Sequence, residues 1–149
     1  MKILVDADAC PVKEIIEKVA EEYKVHVTMV VDSSHMLFSE YSEVITVGKG
    51  KDAVDIALIN RTMMNDIVVT QDYGVAAMAL GKGAYAINNN GVEFTDDNID
   101  QMLFERHISS KIRRSGGRTC GFHKRTAKND ADFQRNFTRL LKFVLDKIS

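Results

Sequence analysis

Short apolar stretches alternate with segments of helical periodicity along the first 90 residues, and this alternation limits the possible folds more than any other feature. The stretches are brief and mostly apolar throughout, which is typical of strands buried on both faces of a sheet. The segments between them carry apolar residues at spacings of three and four, as amphipathic helices do. The strand candidates are KILVD (2–6), VHVTMVV (25–31), SEVITV (42–47), DIVVT (66–70) and AYAI (84–87).

Strands that alternate with helices form parallel βαβ units, so the sequence predicts an α/β fold. We expect a three-layer α/β/α sandwich with a mostly parallel central sheet, followed by C-terminal helices. Pro11 suits the first turn of the first helix, and the last two helices are predicted at 98–113 and at about 130–147. With 149 residues and no repeat or linker, the chain is predicted to form one domain, 1–149.

Bulk properties restrict function only a little. The net charge is −1, so the whole molecule carries no field that would select a polyanionic partner. No apolar run approaches the ~20 residues of a membrane span, and no signal peptide precedes the first strand candidate. The two cysteines are far apart without metal-type spacing, which is typical of reduced thiols. We therefore expect a cytoplasmic protein that does not bind membranes.

Acidic residues recur at the ends of the predicted strands. Asp6 and Asp8 follow the first strand candidate and Asp72 follows the fourth, while Asp52 and Asp55 begin the helix between the third and fourth. Ligands of open parallel sheets bind at the carboxyl ends of the strands, so these five acids should share one edge. Crowded carboxylates need a counter-charge, and oxygen ligands without His or Cys suit Mg²⁺ or Mn²⁺. Phosphoryl chemistry is the function that such a centre favours.

Helix capping is the alternative explanation for several of these acids. Asp52 alone is better explained as the N-cap of its helix, and Asp8 and Asp72 could each cap the helix that follows them. Asp55 lies within a helix between apolar neighbours, so it is a poor cap and is expected to point inward. The joint case for Asp6, Asp55 and Asp72 is stronger than the case for any one of them.

Several motifs occur in an order that resembles the uncharacterised bacterial YaiI/YqxD family over nearly the full length. They are VDADACPV, GKDAVDIALI, DIVVTQDYGVAAMALGKGA, RRSGGRT and the Asp-containing start of the last helix. That family is similar to PIN-type nuclease domains, in which a three-layer α/β fold gathers acids around divalent metal. The resemblance implies Asp6, Asp55 and Asp72 as the nuclease acids. It also implies Thr70 as the hydroxyl companion of Asp72, and Asp8 as an additional acid.

One departure from the PIN pattern concerns a further acid, often Glu, on the segment after the second strand. Asp32, Glu40 and Glu43 lie there without a clear match, so Asp52 or Asp8 could substitute as a ligand. The implied activity is metal-dependent hydrolysis of phosphodiester bonds in single-stranded RNA or DNA, with RNA favoured as the partner. One or two Mg²⁺ or Mn²⁺ ions held by the three nuclease acids would activate a water for in-line attack.

A basic segment, residues 113–128, follows the predicted helix at 98–113. Residues 106–128 contain eight of the twenty Lys and Arg residues and no Asp or Glu. Arginine forks match phosphate oxygens, glycines let backbone approach a phosphate, and Phe122 could stack on an unpaired base. We interpret the segment as a loop that clamps a nucleic-acid backbone; a solvated loop that aids solubility is the alternative. The predicted contacts are Arg113, Arg114, Arg118, Lys124 and Arg125.

Other functions stay open at this point. Asp6 and Asp8 also resemble the aspartyl-nucleophile signature of haloacid-dehalogenase-type phosphatases, with Lys82 and the acid pair at 96–97 as loose partners. A nucleic-acid-binding module without catalysis is a second alternative. The apolar face of the last helix could pack on its own sheet or on a second copy, so a homodimer is open as well.

Overall fold

The computed structural model describes residues 1–8, 10–50, 52–114 and 124–149, with residues 106, 109, 110, 113 and 114 described by their backbone only. Within these ranges the chain forms a six-stranded sheet and five helices. The strands are β1 (Ile3–Asp6), β2 (Val27–Asp32), β3 (Glu43–Val47), β4 (Ile67–Val69), β5 (Tyr85–Ile87) and β6 (Glu93–Phe94). The helices are α1 (Lys13–Glu22), α2 (Ala53–Arg61), α3 (Tyr73–Gly81), α4 (Ile99–Arg114) and α5 (Ala127–Ile148).

The strand order across the sheet is β3-β2-β1-β4-β5-β6, which places β1 and β4 at its centre. All neighbouring pairs are parallel except β5 and β6. From β1 the chain builds outward through β2 to β3, then returns to β4 on the other side of β1. The carboxyl ends of β1 and β4 are therefore the switch point of the sheet, where ligands of open α/β folds bind.

Helices cover both faces of the sheet, which confirms the predicted α/β fold and its three layers. Ile3 and Val5 belong to a core shared with α1 and α5, whereas Leu4 belongs to a second core shared with α2, α3 and α4. Successive side chains of a strand point to opposite faces. A central strand that is apolar throughout can therefore bury both of its faces, as the KILVD pattern predicts.

The last helix packs on its own sheet. Phe133 and Phe137 are buried and stack with ring centroids 5.1 Å apart. The helix begins earlier than the apolar pattern indicates, because the side chains of Thr126 and Asn129 form a capping box. In the described part of the chain, no helix is both long enough and apolar enough to cross a membrane.

Two local features differ from the sequence analysis. Helix α1 begins at Lys13, two residues beyond Pro11, so Pro11 lies in a turn before the helix. The short strand β6 was not predicted; it pairs antiparallel with β5 through the turn at residues 88–92. Gly91 in that turn has φ +83°, a conformation that suits glycine.

Candidate functional site

Asp6 and Thr70 meet at the switch point of the sheet. Asp6 is the last residue of β1, and the buried Thr70 directly follows β4. The Thr70 hydroxyl donates a hydrogen bond to Oδ2 of Asp6 at 3.2 Å, and its oxygen accepts one from the backbone N–H of Asp72 at 3.0 Å. Thr70 therefore links the two predicted nuclease acids that follow the central strands.

Asp72 is both an N-cap and a member of this cluster. Its Oδ1 accepts a hydrogen bond from the backbone N–H of Val75 at 3.0 Å, so the predicted capping of α3 is confirmed. A Cβ at Gly74 would lie 3.1 Å from the same oxygen, so the lack of a side chain there leaves room for the carboxylate. The cap fixes Asp72 at the positive end of the α3 dipole, which favours its charge.

Three further carboxylates lie near enough to Asp6 to interact with its charge. Burial raises the pKa of Asp6 from its ordinary 3.8 to about 6; the hydrogen bond from Thr70 opposes this rise, and the negative charges of Asp55, Asp8 and Asp72 add to it. Asp55 is placed there by its position in the first turn of α2. The structure thus brings together four of the five acids that the sequence assigns to this edge.

Asp52, the fifth predicted acid, is exposed at the start of α2. It stands at the N-cap position, but its side chain makes no capping hydrogen bond. With Asp55 it lines an open pocket of about 390 Å³. A direct role for Asp52 as a metal ligand stays a prediction.

Asp8 does not cap a helix, which corrects that alternative. Val12 occupies the N-cap of α1 without a side-chain cap. Oδ2 of Asp8 instead accepts a hydrogen bond from the backbone N–H of Asp32 at 3.3 Å. Asp8 therefore connects the end of β1 to the end of β2, on the side of Asp6 away from Thr70.

Asp32 and His35 extend the acidic cluster beyond what the sequence analysis assembled. Nδ1 of His35 lies 3.1 Å from Oδ1 of Asp8 and 3.1 Å from Oδ1 of Asp32. Hydrogen bonds from the hydroxyl and backbone N–H of Ser34, then from His35, lower the pKa of Asp32 to about 2. The signal in the sequence is DSSH directly after the second strand, at the same edge as Asp6.

The three candidates for the further acid occupy different places. Asp32 lies at the carboxyl edge of the sheet, whereas Glu43 begins β3 at the opposite edge, 3.9 Å from Nε2 of His26. Glu40 lines a groove on the outer side of α1. Of these acids, Asp32 is therefore the one beside the candidate site.

The other side of the site is formed by the turn after β5. Gln71 accepts a hydrogen bond from the backbone N–H of Asn89 at 2.7 Å. Arg125 donates to the carbonyl of Asn89 at 2.7 Å and to Oδ1 of Asp130 at 2.7 Å. The Cys10 thiol lies 3.8 Å from Oδ1 of Asn89, and burial raises its pKa, so it is not set up as a thiolate nucleophile.

The predicted nucleic-acid contacts are only partly visible. Arg118 and the side chains of Arg113 and Arg114 lie outside the described residues. Lys124 is exposed, and the guanidinium of Arg125 is engaged by the turn after β5 and by the start of α5. At these two residues the chain comes back to the carboxyl edge of the sheet, which is the edge that carries Asp6.

The arrangement fits a hard divalent cation. Helices α1, α2, α3 and α5 all begin at the carboxyl edge, so their positive dipole ends offset part of the acidic charge. The converging groups around Asp6 are carboxylates, which Mg²⁺ and Mn²⁺ prefer. Burial first, and then repulsion by the neighbouring acids, raise the pKa of Asp6, and a bound cation would offset both effects.

Lys82 and the acid pair at 96–97, the two partners that the sequence offers for a haloacid-dehalogenase-type phosphatase, do not lie near Asp6. The ammonium of Lys82 donates to the carbonyl of Ile59 at 2.6 Å, at the far end of α2. The acid pair at 96–97 follows β6, at the amino edge of the parallel strands. Both candidates lie across the sheet from Asp6, so neither can assist a reaction at its carboxylate.

A family model and several relatives with similar sequences point to one protein family. A family model described as "Uncharacterized BCR, YaiI/YqxD family" matches residues 4–143. A UPF0178 protein of Ruminiclostridium cellulolyticum is 57% identical over 95% of this chain and 93% of its own length. UPF0178 proteins of Lachnoclostridium phytofermentans and Clostridium acetobutylicum are 56% and 55% identical, covering 97% and 95% of this chain and 99% and 97% of their own lengths.

Among solved structures, the crystal structure of Rae1 (YacP) from Bacillus subtilis aligns over the full length of both chains at 19% identity and a TM-score of 0.42. That similarity is too low to support an argument about function. The family match and the curated relatives confirm the resemblance first seen in the motifs. The chain belongs to the YaiI/YqxD family.

Proposed function

We propose that this protein is a divalent-metal-dependent nuclease that hydrolyses phosphodiester bonds in single-stranded nucleic acid, with RNA as the first substrate. The observation that carries the proposal is the placement of Asp8, Asp55 and Asp72 around the partly buried carboxyl of Asp6. Holding like charges near one another at a partly buried position destabilises the folded chain unless a cation neutralises them. Metal-dependent phosphoryl chemistry is a function that makes use of such crowding.

Asp6, Asp55 and Asp72 would hold Mg²⁺ or Mn²⁺, with Asp8 beside them as a further acid. A bound ion supplies Lewis-acid activation of the phosphodiester and of the attacking water. Thr70 orients two of these acids at once, because its hydroxyl contacts the carboxylate of Asp6 and the backbone of Asp72. Thr70 thus fixes Asp6 and Asp72 relative to each other before any ion binds.

Basic residues of the 113–128 segment would hold the substrate backbone. We assign phosphate contacts to Arg113, Arg114, Arg118 and Lys124. Arg125 has a different task in this proposal: its hydrogen bonds to Asn89 and Asp130 anchor the end of the segment beside the acidic cluster. Electrostatic attraction of phosphates makes binding weaken with added salt.

The test is cleavage of end-labelled single-stranded RNA and DNA by wild type, Asp6→Asn and Asp72→Asn, with Mg²⁺, Mn²⁺ or chelator. We expect cleavage by wild type that needs the metal and falls about a hundredfold or more in both variants. Asparagine is also a good N-cap, so Asp72→Asn retains the start of α3. Circular dichroism of each variant checks that the fold is kept.

The matched control is Asp97→Asn, an exposed acid at the opposite edge of the sheet, which should cleave like wild type. Metal-dependent cleavage that persists in Asp6→Asn would contradict the assigned site. No cleavage by wild type on either substrate would contradict the nuclease itself. Retained, salt-sensitive binding in that case would favour the binding module without catalysis.

A further inference from the structure

A group of potential metal ligands lies beside the Asp6 cluster and includes a histidine. Asp8, Asp32 and His35 each offer one ligand atom, and these atoms all lie within 4.8 Å of one another. They come from the ends of β1 and β2 and the loop after β2, so they occupy the side of Asp6 away from β4. The proposed nuclease centre assigns no role to Asp32 or His35.

The spacing of these atoms is that of ligands around one ion. Nδ1 of His35 lies 3.1 Å from a carboxylate oxygen of Asp8 and 3.1 Å from one of Asp32. At metal–ligand bonds of about 2.1 Å, adjacent ligand atoms lie roughly 3.0 Å apart in an octahedron and roughly 3.4 Å apart in a tetrahedron. The two separations from Nδ1 of His35 fall within this interval, and the ligand atoms of Asp8 and Asp32 lie within 4.8 Å of each other.

A buried carboxylate oxygen points to a ligand at the same place. Oδ1 of Asp8 is inaccessible to solvent and accepts no hydrogen bond from the described residues. The hydrogen bond of His35 Nδ1 goes to Asp32, although Oδ1 of Asp8 is equally close. His35 Nδ1 is the one near partner of this oxygen among the described residues, and the contact lacks the alignment of a hydrogen bond. A buried carboxylate oxygen without an aligned hydrogen bond is costly, and a cation between these three atoms would satisfy it.

The ligand types select the class of ion. Imidazole nitrogen is a preferred ligand of Zn²⁺, which is a borderline ion. Mn²⁺ prefers carboxylates but also accepts an imidazole beside them, whereas Mg²⁺ keeps oxygen ligands and water. His35 is half-exposed, so its ring can turn to a ligand and leaves room for waters. The Asp6 cluster, by contrast, offers carboxylates.

We infer that Asp8, Asp32 and His35 form a second metal site, selective for Zn²⁺ or Mn²⁺ over Mg²⁺ and adjacent to the Asp6 cluster. The inference does not rest on the proposed function, because the site binds its ion whether or not nucleic acid is cleaved. Its failure is therefore separable from the failure of the nuclease, since it is measured on the protein without substrate.

The first experiment compares Zn²⁺ and Mg²⁺ titrations of the full chain by calorimetry, for wild type and for His35→Asn. Loss of one protein ligand of three should weaken the Zn²⁺ affinity about tenfold or more and leave the Mg²⁺ affinity within about twofold. The matched control is His26→Asn, which removes a histidine at the other end of β2 and should behave like wild type. Equal Zn²⁺ affinity in wild type and His35→Asn would overturn the site.

A second measurement uses bound Mn²⁺ as the probe and does not depend on affinity. Electron spin echo spectra of wild type should show coupling to an imidazole nitrogen. The coupling should vanish in His35→Asn and persist in His26→Asn and in Asp72→Asn, the last of which lies outside the second site. Absence of the coupling in wild type, or its survival in His35→Asn, would show that the three residues are only a hydrogen-bonded ion pair.

Discussion

At the level of single residues, Asp6 is a carboxyl group that the fold makes harder to ionise. Its pKa is about 6 when folded against 3.8 ordinarily, so between these values the folded state holds more protons than the unfolded state. The free energy of unfolding therefore falls as the pH rises through this window. In chelator, Asp6→Asn should stabilise the protein by about 1–3 kcal/mol at pH 7.5, and by progressively less as the pH approaches about 4.

Urea unfolding of wild type and Asp6→Asn across this pH range measures the effect. The exposed Asp97→Asn is the control and should leave the pH dependence of wild type unchanged. If Asp6→Asn were equally or less stable than wild type at pH 7.5 without metal, the burial of the Asp6 charge and its repulsion by neighbouring acids would not control the stability at this position. We therefore expect Asp6→Asn to be more stable than wild type but inactive, because a metal-binding carboxylate at this position lowers the stability of the fold.

The sequence predicts the location of Asp6 and Asp72 at one edge of the sheet, because strand ends are local features and parallel strands end at one edge. Asp55 is also found, since helical spacing places it in the first turn of α2. Asp32 and His35 are not assembled with Asp8, because that grouping depends on β2 pairing with β1 and on hydrogen bonds within the DSSH turn. Such contacts between distant segments leave no periodic signal.

At the level of elements, the turn from β5 to β6 is fixed against the start of α5 by Gly91. Its φ is +83°, and a Cβ there would lie 2.8 Å from the carbonyl oxygen of Asp132 and 3.0 Å from Cα of Phe133. Gly91→Ala should therefore destabilise the protein by about 2 kcal/mol or more. The comparison is Gly48→Ala, where a Cβ would meet nothing within 4 Å.

Urea unfolding measures the stability of Gly91→Ala and of Gly48→Ala, and we expect only Gly91→Ala to be clearly destabilised. If Gly91→Ala were as stable as Gly48→Ala, the turn would yield easily and its contact with α5 would not matter for stability. The same turn also explains why strand β6 is not predicted from the sequence. A strand of two residues, Glu93 and Phe94, has too little pattern to detect, and its pairing is set by the turn and by α5 instead.

At the level of the whole molecule, the central strands connect two apolar cores. Alternate residues of β1 and β4 enter the core under α1 and α5 or the core under α2, α3 and α4. Neither core can lose its helices without exposing one face of the same strands. We therefore predict that residues 1–149 unfold as one cooperative unit, as expected of a single domain.

One substitution in each core tests this cooperativity. Phe137 fills the core under α1 and α5, and Leu58 fills the other; both are fully buried, so Phe137→Ala and Leu58→Ala should each cost about 3 kcal/mol. Because the sheet is shared, either change should shift the unfolding seen by circular dichroism and by tyrosine fluorescence to the same lower urea concentration. Tyr73 reports from the core of Leu58, and Tyr85 reports from the core of Phe137. If circular dichroism and tyrosine fluorescence of Phe137→Ala showed distinct transitions, the chain would contain two folding units. The sheet edge that carries Asp6 would then not be stabilised by both cores.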